Sequence, residues 1–115
     1  MCVTIYHNPR CSKSRQTLQL LRDRGVEPEV VEYLQTPPNE KTLKEILDQL
    51  GLEPRDLMRR KEAVYKELDL DNPALSRAAL IKAMVANPIL IERPIVCTKD
   101  KSALGRPPEE VLKII

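Results

Sequence analysis

A cysteine at position 11 stands in the run His7-Asn8-Pro9-Arg10-Cys11-Ser12-Lys13-Ser14-Arg15, between a short apolar stretch and a segment of helical period. This puts a thiol at the mouth of a helix, where unpaired backbone N–H groups and the helix dipole favour the thiolate. Helix starts normally gather acids. Here Arg10, Lys13 and Arg15 crowd the first turn, and no Asp or Glu appears before Asp23. Lowering a thiol pKa from about 8.5 to about 6.5 multiplies the thiolate at neutral pH roughly 25-fold, but the weaker nucleophile returns about tenfold of that. Activation alone does not account for so much positive charge; holding an anion beside the sulfur does.

Cys11-Ser12-Lys13-Ser14 has the spacing of a dithiol redox motif with a hydroxyl in the second place, so it cannot close a local disulfide. An oxidised or adducted Cys11 must be resolved by a thiol from solution or by a distant one such as Cys97. Cys97 falls in an apolar stretch and, like Cys2, reads more simply as a packed small residue. Arg59, Arg60, Arg93 and Arg106 lie beside expected helix ends or loops, and Arg93 and Arg106 each precede a proline. Guanidinium forks suit tetrahedral oxyanions; one about 4 Å from a charge contributes roughly 4 kcal/mol at an effective dielectric near 20, before desolvation. Arg60 is a solvated charge if its helix turns it outward. His7 can assist the thiolate or simply cap a strand end. A phosphatase-type cysteine loop needs an arginine six residues after the thiol, where this chain has Thr17.

The elements that must position these groups follow from hydrophobic period and punctuation. Val3–Tyr6 alternates as a strand, and Cys11–Arg24 carries Leu18 and Leu21 on one helical face, with Gly25 as its stop. Glu29–Tyr33 is rich in β-branched residues and follows closely, which predicts a second strand parallel to the first through a right-handed crossover. The middle turns helical: Asn39 caps a segment bearing Leu43, Ile46, Leu47 and Leu50 that ends at Gly51. Helical period continues over Arg55–Arg60, over Glu62–Leu68 with Val64, Tyr65 and Leu68 inward, and over Ser76–Ala86 with Leu80, Ile81, Met84 and Val85. Ile95–Thr98 and Ser102–Leu104 then form an antiparallel hairpin, and Pro107-Pro108-Glu109-Glu110 opens a last helix.

A chain of 115 residues with 42% hydrophobic and 31% charged residues has the make-up of a single soluble domain. Its 19 basic and 17 acidic residues leave a net charge of +2, and its aromatic residues are Tyr6, Tyr33 and Tyr65 alone. That gives no stacking platform for nucleic acid. No apolar run is long enough for a bilayer, and no leader precedes the first strand, so no membrane partner and a cytoplasmic location are expected. Three cysteines without a C-x-x-C pair suit a reducing compartment and argue against a metal site.

The blocks His7-Asn8-Pro9-x-Cys11-x-x-Ser14-Arg15, Leu57-Met58-Arg59, Glu92-Arg93-Pro94-Ile95-Val96 and Gly105-Arg106-Pro107 occur in order over essentially the whole chain. With them the chain resembles the glutaredoxin-dependent arsenate reductases. The resemblance implies an α/β thioredoxin-like fold, a small mixed sheet of about four strands flanked by helices. Its core is expected at about 1–36 and 88–115, with an all-helical insertion at about 37–87. It implies Cys11 as the catalytic thiol, His7, Ser14 and Arg15 as groups that tune it, Arg59, Arg93 and Arg106 as oxyanion ligands, and Pro94 as a cis-proline facing the site. The chemistry implied is thiolate attack on arsenate, with glutathione as co-substrate, glutaredoxin as partner, no bound cofactor and no metal, in a monomer.

The chain is more basic at Arg10-Cys11-Ser12-Lys13 than the plasmid-type enzymes and lacks their longer C-terminal tail. Two other functions fit the same fold family. One is a non-enzymatic redox-linked transcription adaptor, for which C-x-x-S is a poor switch. The other is a general glutathione-dependent thiol reductase.

Overall fold

A computed structural model describes residues 3–115, so Cys2 lies outside the described residues. The chain divides into two compact units, one running up to Thr36 and resuming at Arg93–Ile115, the other Pro37–Glu92. The second junction falls at Glu92–Arg93. Pro88–Leu90 is a 3-10 turn ending on the buried Leu90, and Ile91 bridges Met58 within the helical unit.

The first unit is a four-stranded sheet of β1 (Thr4–His7), β2 (Glu29–Glu32), β3 (Ile95–Cys97) and β4 (Ser102–Leu104), in the order β2-β1-β3-β4. β1 and β2 are parallel, with Ile5 beside Val30; β3 is antiparallel to both β1 and β4, with Val96 beside Ile5 and Ala103. Strand alternation sends Ile5 and Val96 to one face, where they cluster with Val3, Leu21 and Val111 and are flanked by Leu18, Val26, Ala103, Ile114 and Ile115. Leu21 comes from α1 (Ser12–Asp23) and Val111 from a 3-10 turn at Pro108–Lys113. Each such fully buried aliphatic side chain stabilises the fold by roughly 1.5–3 kcal/mol.

The last element was expected as an ordinary helix. Its six residues open behind Pro107-Pro108, which supply no N–H groups, and they wind as the tighter 3-10 form. α1 ends as its sequence demands: Gly25, at φ 77°, lets its own N–H reach the Arg22 carbonyl (3.0 Å) and the Val26 N–H reach that of Leu21 (2.9 Å). Both bonds satisfy helix-end carbonyls while Val26 and Leu21 join the same core.

In the second unit, α2 (Glu40–Leu50) is capped by Asn39, whose side chain accepts the Thr42 N–H at 2.8 Å, and α4 (Arg77–Ala86) by Ser76, which accepts that of Ala79 at 3.1 Å. The helix expected over Arg55–Arg60 is a 3-10 turn at Pro54–Leu57; beyond it Met58 goes extended to pair with Ile91. α3 (Ala63–Glu67) buries Tyr65 as expected, but Leu68 is 45% exposed and Leu70 is buried instead. The helix ends before Leu68, and Asp69, at φ 53°, reverses the chain so that Leu70 turns inward.

Candidate active site

Cys11 is the N-cap of α1, with extended backbone and no side-chain cap bond of the kind Asn39 and Ser76 make. The loop that delivers it is built by Asn8. Its carbonyl accepts the Cys11 N–H at 3.0 Å and its side-chain oxygen the Arg10 N–H at 3.0 Å, an Asx-type turn. Its own N–H goes to Ser14 Oγ at 3.0 Å. Ser14, fully buried in the first turn, also shares a 2.6 Å hydrogen bond with His7 Nδ1. A strand end, a turn and a helix start are therefore tied by one hydroxyl. Asn8 was absent from the sequence-derived site, although Asn-Pro ahead of a helix is a turn signal.

Partial burial pushes the Cys11 thiol up. The Ser14 amide, the hydrogen bond and charge of Arg93, and the Lys13 amide together outweigh it, leaving the thiol below its ordinary pKa. Arg106 Nη2 lies 3.7 Å from Cys11 Sγ, at the long end for an N–H···S contact. Arg106 is the more exposed residue of the two, in keeping with Arg93 as the group that lowers the thiol. Arg106 is aimed by a 2.7 Å bond from its Nε to the Arg93 carbonyl, which leaves the outer edge of the fork toward the sulfur. No acid stands in the first turn of α1.

The Arg93–Pro94 peptide is cis, and so is Arg106–Pro107, which the sequence reading did not include. Gly105 joins these two segments. Its N–H donates to the Pro94 carbonyl at 2.8 Å, and a Cβ added there would stand 2.7 Å from both Pro94 Cγ and Thr17 Oγ1. Thr17, the residue that excludes a phosphatase-type loop, is buried and donates to the Lys13 carbonyl at 2.8 Å. The signal for Gly105 was its place immediately before Arg106-Pro107.

The remaining expected site residues are placed as follows. Arg15 donates to the Pro9 carbonyl at 3.0 Å and so braces the loop; its charge acts on His7. His7 is buried, and burial holds its imidazole below the usual histidine range; Glu32 opposes this, while Arg22 and Arg15 add to it. Arg59 belongs to the helical unit, where its guanidinium pairs with Glu62 at 2.7 Å and approaches Glu92 at 4.0 Å. Cys97 on β3 accepts the Ser102 hydroxyl at 3.2 Å, and burial raises its pKa. No grouping of His, Cys, Asp or Glu among the described residues could hold a metal ion, and no helix among them is long and apolar enough to cross a membrane.

A scan against protein-family models matches residues 6–114 to the ArsC family. The chain belongs to the ArsC family. It is 60% identical over 98% of its length to 96% of Escherichia coli K12 YfgD, whose name assigns no activity. It is 51% identical, over 98% of its length, to 97% of an arsenate reductase of Neisseria meningitidis serogroup A. Among solved structures, an arsenate reductase from Vibrio cholerae superposes with a TM-score of 0.96 at 53% identity, covering 100% of this chain and 98% of that one. The fold of this ArsC-family chain is accordingly thioredoxin-like, as expected.

Proposed function

We propose that the chain reduces arsenate to arsenite through a covalent bond between Cys11 and arsenic, using glutathione and a glutaredoxin. The observation that carries this reading is the thiol itself, lowered by Arg93 and by helix-start amides while a second arginine reaches to 3.7 Å. A thiolate and an oxyanion repel one another, so bringing them together requires cations fixed in advance beside the reacting sulfur. Arg93 and Arg106 supply two, and the family resemblance assigns Arg59 the same task.

In the reaction, the Cys11 sulfur forms a bond to arsenic and one arsenate oxygen leaves as water. Attack by glutathione on the adduct, and release by glutaredoxin, complete the cycle. Arsenic gains two electrons, two thiols become one disulfide, and each turnover yields one water. Ser14 stands where a dithiol motif would hold its second thiol, and Cys97 is kept protonated by burial, so neither favours an internal disulfide. Reducing equivalents then come from outside the chain.

The test is arsenate turnover in the presence of glutathione and glutaredoxin. Cys11→Ser is expected to lose activity by at least about a thousandfold while its circular dichroism is unchanged, because a hydroxyl cannot replace the thiolate nucleophile. Turnover retained by Cys11→Ser would overturn the reading.

A further inference from the structure

Beside the thiol loop, Arg10, Glu32, Leu34 and Gln35, together with residues His7 to Pro9, line a cleft of about 150 Å³. That is space for about five waters, the size of an amino-acid head group. Arg10 and Glu32 carry opposite charges into this one cleft, yet neither side chain has an ion pair or hydrogen bond among the described residues. Other surface charges of the chain do close on partners, as Arg22 does on Glu27 at 3.1 Å. Leu34, 42% exposed, adds an apolar wall.

An inorganic oxyanion would find Arg10 here but also the Glu32 carboxylate, and a simple cation would meet the reverse conflict. A group bearing both charges on neighbouring atoms satisfies both walls. We propose that the cleft is a subsite for the zwitterionic α-amino-acid head of the reducing thiol, its carboxylate on Arg10 and its ammonium on Glu32. The γ-glutamyl end of glutathione is such a head. This rests on the thiol-dependent reading above. Arg10 is covalently next to Cys11, so a tripeptide anchored by its head in the cleft projects its sulfur toward the adduct, a gain in proximity that simple thiols lack.

S-methylglutathione, which cannot react, is titrated into the isotope-labelled full-length chain and followed by amide chemical shifts. The expected result is shifts confined to residues 7–10 and 32–35, with binding weakened roughly fivefold or more by Arg10→Gln and by Glu32→Gln, the usual effect of removing one charged contact. The N-acetylated ligand, whose ammonium is blocked, should bind correspondingly more weakly. Shifts elsewhere, or equal binding of the N-acetylated ligand, would overturn the subsite. Because the probe is inert, these outcomes are independent of arsenate turnover. A chain that binds S-methylglutathione here but reduces no arsenate upholds the subsite and overturns the reductase reading alone.

Discussion

Two thiols in the same sheet unit are held in opposite regimes. Cys97 is raised by burial and receives a single hydroxyl, whereas Cys11 is lowered because amides and Arg93 outweigh its burial. The sequence pointed to Cys11 through its helix position and the cations that follow it in the chain. Arg15 is spent on the Pro9 carbonyl, and the arginine that lowers the thiol is Arg93, brought from the far end of the chain by β3. Local spacing cannot reveal a partner that only sheet pairing delivers. The rate of Cys11 alkylation by iodoacetamide is therefore expected to rise with pH through a midpoint below that of an ordinary cysteine. In Arg93→Gln the midpoint should move up, because a lowering cause is gone; an unmoved midpoint would assign the effect to the amides alone. The stability linkage has the same sign: a folded-state thiol pKa below the unfolded one contributes stability above the unfolded pKa that is lost as pH falls through the folded value. His7, also lowered, acts in the same direction. Its contribution is full above the ordinary histidine pKa and declines as pH falls from there toward its lower folded value.

At the scale of elements, the leucine period located α1 but not the character of its buried stripe, which runs Ser14, Thr17, Leu21. The two hydroxyls are buried because each has work near the site: Ser14 ties the strand end to the loop, and Thr17 packs under Gly105. Periodicity scores such residues as polar and expects them outside. The 3-10 turns at Pro54–Leu57 and Pro108–Lys113 escaped for a related reason, since short proline-led segments share the helical pattern without the length to settle into α geometry. Gly105 is the element-scale prediction. Gly105→Ala places a carbon 2.7 Å from Pro94 and Thr17, which should destabilise the chain by about 1–3 kcal/mol in urea unfolding. It should also slow turnover by displacing Arg106. Adding Thr17→Ala removes one of the two clashing groups and should recover part of that stability, a coupling that distant sites do not show. Independent, additive losses would mean that the close approach is not the reason for glycine here.

For the whole molecule, the net charge of +2 said little, whereas β-branched runs give way to leucine-rich helices and then return along the chain. Ile91, which reads from sequence as the approach to β3, pairs with Met58 in the helical unit. What the chain assembles from distant segments is a sulfur with two arginines beside it, and the central claim is that arsenic becomes bonded to that sulfur. The most direct measurement is a crystal of the wild-type chain soaked in arsenate, with diffraction collected on both sides of the arsenic absorption edge. The account predicts an anomalous arsenic peak joined to Cys11 Sγ, with oxygens on the Arg93 and Arg106 guanidinium groups. Arsenic held elsewhere on the chain, with the Cys11 sulfur left bare, would contradict it.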